Sequence, residues 1–273
     1  MRLIVFAIAS YVVAASSGVT GSEAGRQQKV RTDFGYVVVV EEDITVAIRE
    51  GEATQAAAKE ILLLDGVRFA IVEEGNGSLW GDVDASGLIT YTWSFPHGAR
   101  RFKSRSAVNV LRHEIAHDLF ARYMVRTTHF AQYGTDAPDW LDEMAAIAFE
   151  SDEQFALRRR DAERYGLLPL SRLLQMDHPE RTTKVIIEDN RSFANGPASS
   201  VETAPYYATI SLFYKFLTHE TGERSIVAEL ANDFNAGKEL DKSLLVRLEY
   251  GDNAEALTEM DQNFMAWFAG GSH

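Results

Sequence analysis

The chain has 273 residues, 46% of them hydrophobic, no cysteine and a formal net charge of −13. Such a length can bury a sizeable core, and zero cysteines exclude disulfides, thiolate-bound zinc and thiol catalysis. The acidic balance disfavours nucleic acid and anionic membranes as partners.

In chain order, Met1-Arg2 precede an apolar run from Leu3 to Ala15 and the small residues Ser16-Ser17-Gly18. This reads as a signal peptide over residues 1–17, the run being too short for a membrane span of about 20 residues. It predicts a secreted protein, periplasmic or extracellular, with no stable membrane anchor after cleavage. Residues 18–30 read as a polar linker. Tyr36–Val40 and Ile44–Ile48 read as β-branched strands, Ala53–Leu64 as a helix and Val67–Val72 as a strand. Leu88–Trp93 alternates like an edge strand.

Residues 107–124 lack Gly and Pro and place Val108, Leu111, Ile115 and Leu119 at helical spacing, the pattern of an amphipathic helix. That helix carries His113-Glu114-Ile115-Ala116-His117. Histidines four residues apart leave one helix face a turn apart. Both imidazoles can then reach one Zn²⁺ at about 2.0–2.1 Å, with Glu114 beside the metal to take a proton from an activated water. With 7 His and 23 Glu in the chain, random placement yields about 0.015 such pentapeptides. Metal chemistry is therefore favoured over two unrelated surface histidines.

A catalytic zinc needs a third protein donor and an open position. The metzincin spacing fails, because Phe120 and Tyr123 stand where Gly and His are required. His129 and Asp136 remain candidate donors. Glu143 is the best placed: Asp136 or Thr135 can cap its segment, Pro138 suits a first helical turn, and the connection from Met124 is long enough for a second helix to fold back. From Asp152 onward, segments 153–164, 170–176, 206–220, 223–235, 239–248 and 255–269 show helical periodicity. Residues 177–204 are polar apart from Val185-Ile186-Ile187 and read as a lid-like loop. His97, His129, His178 and His219 follow no ligand spacing and read as surface or packing residues.

The pentapeptide, followed 26 positions after its second His by Trp140-Leu141-Asp142-Glu143, resembles the gluzincins, and most of all the bacterial peptidase MA-like group of thermolysin-like zinc peptidases. Looser likenesses extend over residues 35–270: Leu168-Pro169-Leu170-Ser171-Arg172-Leu173-Leu174, the Tyr206-Tyr207 helix running to Leu217 and Gly222, and the closing stretch Glu259–Phe268. The resemblance implies an α+β fold, with a zincin-like catalytic lobe at residues 31–151 and an all-helical lobe at residues 152–273. It implies zinc held by His113, His117 and Glu143, Glu114 as general base, and a tyrosine hydrogen-bonding the oxyanion. That tyrosine falls on Tyr207, with Tyr206 one register away. Strand 88–93 takes the place that lines the cleft and pairs with extended substrate, though a strand simply closing the sheet fits equally.

Two positions depart from the family pattern. Met144 replaces a common Gly, and Ile147 stands where a carboxylate usually orients a histidine, leaving Asp118, Asp142 or Glu150 as substitutes. The implied activity is hydrolysis of a peptide or protein substrate by a secreted zinc metallopeptidase. Endopeptidase action is favoured, because no Gly-x-Met-Glu-Asn stretch precedes His113. Two alternatives stand beside it: a non-catalytic zinc-binding or peptide-binding protein on a peptidase fold, and a zinc amidase acting on a cell-wall cross-link.

Overall fold

The computed structural model describes residues 27–73, 82–83, 87–93, 106–126, 135–179, 197–251, 253 and 255–271. The expected signal peptide, most of the expected linker, His97, His129, Val185–Ile187 and the side chain of Val108 lie outside the described residues. The protein is α+β, a mixed sheet near its N-terminus and helices in the remainder. It divides into two compact units, one within Met1–Glu52 and Arg68–Ser104, the other within Ala53–Val67 and Arg105–His273. This differs from a division at residue 151: the segment with the paired histidines groups with the helices.

The first unit is built on five strands, β1 (Gln27–Thr32), β2 (Gly35–Val40), β3 (Phe69–Glu73), β4 (Asp82–Val83) and β5 (Ile89–Trp93), in the order β1-β2-β3-β5-β4. β2, β3 and β5 run parallel, while β1 and β4 are antiparallel to their neighbours. Alternate residues Val37, Val39, Phe69, Ile71, Ile89 and Tyr91 are buried, the period of two that a half-covered sheet requires. β5 lies inside the sheet between β3 and β4, so the expected edge position for residues 88–93 is incorrect. β1 begins within the stretch expected to be linker. Its side chains are polar and largely exposed, so it lacks the hydrophobic alternation that marks a strand, and its pairing with β2 supplies the order instead.

A second correction concerns Ile44–Ile48, which is not a strand but the start of α1 (Ile44–Ile61). Burial along this helix falls on Ala47, Gly51, Thr54, Ala58 and Ile61, steps of three and four that only a helix produces. β-branched residues are weak helix formers, yet the packing of one face overrides that preference. Gly51 is part of the reason: a Cβ there would lie 2.1 Å from the Phe34 ring, itself fully buried and stacked on Phe69 at 5.0 Å.

The second unit holds α2 (Ser106–Leu119), which continues as a π-helical turn at Phe120–Met124, then α3 (Asp139–Ala148), α4 (Asp152–Tyr165) and α5 (Leu170–Leu173). It continues with α6 (Pro197–Thr221), α7 (Ile226–Asn235), α8 (Leu240–Arg247) and α9 (Ala256–Gly270). Each expected helix beyond Asp152 is present. α6, however, begins at Pro197, inside the stretch expected to be loop. Every residue of α3 is buried, and α2, α6 and α7 pack around it. A helix buried on all sides makes its polar residues costly unless each has a partner. α3 carries three such residues, Asp139, Asp142 and Glu143. α6 and α9 join through Phe213, Phe216, Phe264 and Trp267, with ring centroids 5.6–5.8 Å apart.

Candidate metal centre

Leu111, Ile115 and Leu119 bury one side of α2, which turns His113 and His117 toward α3. The two rings lie edge to face, 4.8 Å between centroids, with their Nε2 atoms 3.2 Å apart. From α3, Glu143 brings Oε2 to 3.5 Å from the Nε2 of His113 and Oε1 to 3.8 Å from that of His117. One donor atom from each of the three residues falls within 4.8 Å of the others. His113 and Glu143 are buried and His117 is half-buried. The structure thus brings together the three expected ligands. Asp136 is exposed and outside this group.

The far side of each ring fixes its hydrogens. His113 Nδ1 lies 3.0 Å from Glu150 Oε1, and His117 Nδ1 lies 2.8 Å from Asp142 Oδ1. An ionised carboxylate only accepts, so each Nδ1 donates, and in the neutral rings the Nε2 lone pairs turn toward one another. Two lone pairs at 3.2 Å beside a carboxylate repel unless a positive charge sits among them. Glu143 Oε2 is buried with no hydrogen-bond partner among the described residues, an arrangement that costs free energy unless a cation or donor meets it. Two imidazoles and one carboxylate form a donor set that suits a divalent transition metal.

Titration expresses the same demand for positive charge. Burial would lower the His117 pKa, but Asp142, Glu143 and Glu114 outweigh it and raise the ring to about 10. Burial would likewise raise the Glu143 pKa, but His117, His178 and His113 bring it down to about 2.

Further partners surround the site. Of the residues offered as substitutes for the carboxylate missing at Ile147, Asp142 and Glu150 do hold the histidines. Asp118 instead pairs with Arg122 at 2.7 Å. Arg158 on α4 binds Glu150 at 2.9 Å and lies over the Tyr207 ring at 4.7 Å. Glu150, although buried, is held below the usual carboxylate pKa range by Arg158 and His113. Glu114 sits half-buried on α2, close enough for its charge to act on His117.

The two tyrosines of α6 differ sharply. Tyr207 is half-buried, and its hydroxyl lies 3.0 Å from His178 Nε2. Tyr206 is fully buried and its hydroxyl has no hydrogen-bond partner among the described residues. Burial, together with the nearby Glu143 and Asp139, keeps Tyr206 protonated far above its ordinary pKa. Pro138 occupies the position before the first turn of α3, and Thr135 accepts from the Ala137 amide instead of capping the helix.

His178 is the residue that spacing missed. It is 2% exposed, and its Nε2 lies 3.2 Å from Glu143 Oε1 as well as 3.0 Å from the Tyr207 hydroxyl. Reading it as a scattered surface or packing residue understates its place. It comes from an irregular stretch after α5, so no helical period could link it to α2 or α3. The exposed His219, by contrast, lies away from the site group, as expected. No family model, no curated protein and no solved structure matches the chain. Any functional reading therefore rests on this geometry and on the sequence pattern that predicts it.

Proposed function

We propose that the chain is a secreted, zinc-dependent metallopeptidase of gluzincin type, acting within peptide chains. The observation that carries this reading is the convergence of His113 Nε2, His117 Nε2 and an unpartnered Glu143 oxygen, with Glu114 next to the first of them. A zinc held by these three donors supplies Lewis acidity to a substrate carbonyl and lowers a water's pKa toward about 7. Asp142 and Glu150 orient the two rings and increase their basicity. Glu114, which no ligand role occupies, takes a proton from the attacking water and passes it to the leaving amine. Tyr207 donates its phenolic hydrogen to the oxygen on which negative charge develops.

Export rests on the apolar run Leu3–Ala15. Against a non-catalytic role stands the pair Asp142 and Glu150, whose carboxylates meet the two rings where Ile147 cannot. The test is a set of peptide digestions with the chelator-stripped chain, before and after one equivalent of Zn²⁺. The proposal predicts no cleavage without metal and internal cleavage after its return. Equal cleavage in both states, or none in either at full zinc loading, would contradict it.

A further inference from the structure

Three features beyond the metal donors invite interpretation. The groove formed by Gly237, Lys238, Lys242 and Arg247 is lined by charges that already pair with one another. Among the described residues, the acids Asp43 and Glu73 of the first unit lie in no group able to hold a metal. His178 has a definite task.

His178 is gripped twice by one face of α3. The Asp139 carboxylate accepts its backbone N–H at 2.6 Å, and one helical turn later Glu143 Oε1 meets its ring Nε2 at 3.2 Å. Residues four apart lie on the same face of a helix, so the two contacts act as a clamp. The ring is held between Tyr206 and Tyr207, edge to face at 5.4 and 5.9 Å. With 2% exposure and contacts on each side, it has no room to choose another rotamer.

The chemistry of this contact has one satisfactory assignment. A carboxylate oxygen accepts, so the Nε2 facing Glu143 carries hydrogen. That hydrogen bond engages Oε1, which also lies 3.8 Å from His117 Nε2, and leaves Oε2, without a hydrogen-bond partner among the described residues, 3.5 Å from His113 Nε2. The same N–H lies within reach of the Tyr207 oxygen. Tyr207 then serves as acceptor toward His178 and keeps its own hydrogen for donation in another direction.

We propose that His178 is a positioning residue. Its Nε2–H restricts Glu143 to one-oxygen coordination through Oε2 and sets the Tyr207 hydroxyl as a donor facing the centre. The proposal rests on the metal-centre reading above, and it assigns His178 neither a metal bond nor a proton transfer.

Three forms of the full chain test it: wild type, His178→Phe, which keeps a ring but removes the N–H, and His178→Gln, whose amide N–H reaches a similar point. Zn²⁺ affinity is measured by competition with a chelating dye, and the visible absorption of the Co²⁺-loaded protein reports the ligand geometry. His178→Phe is expected to weaken Zn²⁺ binding about 10–100-fold and to shift the Co²⁺ bands, and His178→Gln to restore both toward wild type. Should His178→Phe fail to fold, His178→Asn, whose amide is too short to reach Glu143, replaces it with the same expectation. Unchanged affinity and Co²⁺ spectrum in the donor-less variant would overturn the role of His178 while leaving the metal centre intact. A wild-type chain that takes up no Zn²⁺ would overturn the underlying reading.

Discussion

At the scale of single residues, the centre separates groups that bind, orient and react. Asp142 meets the His117 ring at Nδ1, away from the metal donors, so the near-isosteric Asp142→Asn should weaken Zn²⁺ about 10–100-fold, measured by dye competition. The tyrosine pair gives a sharper contrast. Removing the Tyr207 hydroxyl should lower kcat about 100–1000-fold with little change in KM, the pattern of a donor used in the transition state. Tyr206→Phe deletes a buried hydroxyl that has no hydrogen-bond partner among the described residues, so it should preserve kcat and leave thermal stability equal or higher. Steady-state kinetics on both variants checks the assignment. His113 and His117 were legible in the sequence because a helix converts spacing into a shared face, Glu114 because it belongs to the same pentapeptide, and Glu143 because its segment resembles a family pattern. The contact of His178 with Glu143 was not legible. Its approach is set by the tertiary path of an irregular segment, for which no period exists.

At the scale of elements, burial decided where local preference misled. Ile44–Ile48 carries strand-like residues yet forms the first turns of α1, because Ala47 is buried on the face where Gly51 meets the Phe34 ring. Gly51→Ala tests this directly. Alanine gains about 1 kcal/mol of helix propensity over glycine, but its Cβ would collide with a fully buried ring. Overpacking costs about 1–3 kcal/mol, so denaturant melts should show net destabilisation, where an exposed helical glycine would show a gain. β1 was missed for the opposite reason: a polar edge strand gives no hydrophobic signal. The helices from α4 to α9 were legible because their apolar residues recur at helical spacing. α6 began earlier than expected because its first turns are polar, and polar helical turns look like loop.

At the scale of the whole molecule, α3 places a helix rich in carboxylates at the centre of a helical unit, so the proposed zinc would enter the stability balance. A ligand at 100 times its Kd stabilises the folded state by about 2.7 kcal/mol. Chelation should therefore lower Tm by about 5–10 °C for a domain of this size, as scanning calorimetry would register. Away from the metal centre, Asp233 links α7 to α8 through Lys238 at 2.6 Å and Arg247 at 2.8 Å. Burial would raise its pKa, but these two cations lower it below the ordinary aspartate value. A depressed carboxyl contributes stability that is present above the unfolded pKa of about 3.9 and disappears as pH falls through the lower folded value. Asp233→Asn should accordingly cost about 1–2 kcal/mol at pH 7, and the gap from wild type should narrow steadily below about pH 4.

The central claim is that an intact zinc centre serves hydrolysis through Glu114, a residue that holds no metal. Its most direct test is Glu114→Gln, with bound zinc measured in the same preparation used for peptide cleavage. The account predicts one zinc per chain as in wild type, with turnover reduced at least about 100-fold. Full zinc content with undiminished turnover would contradict it.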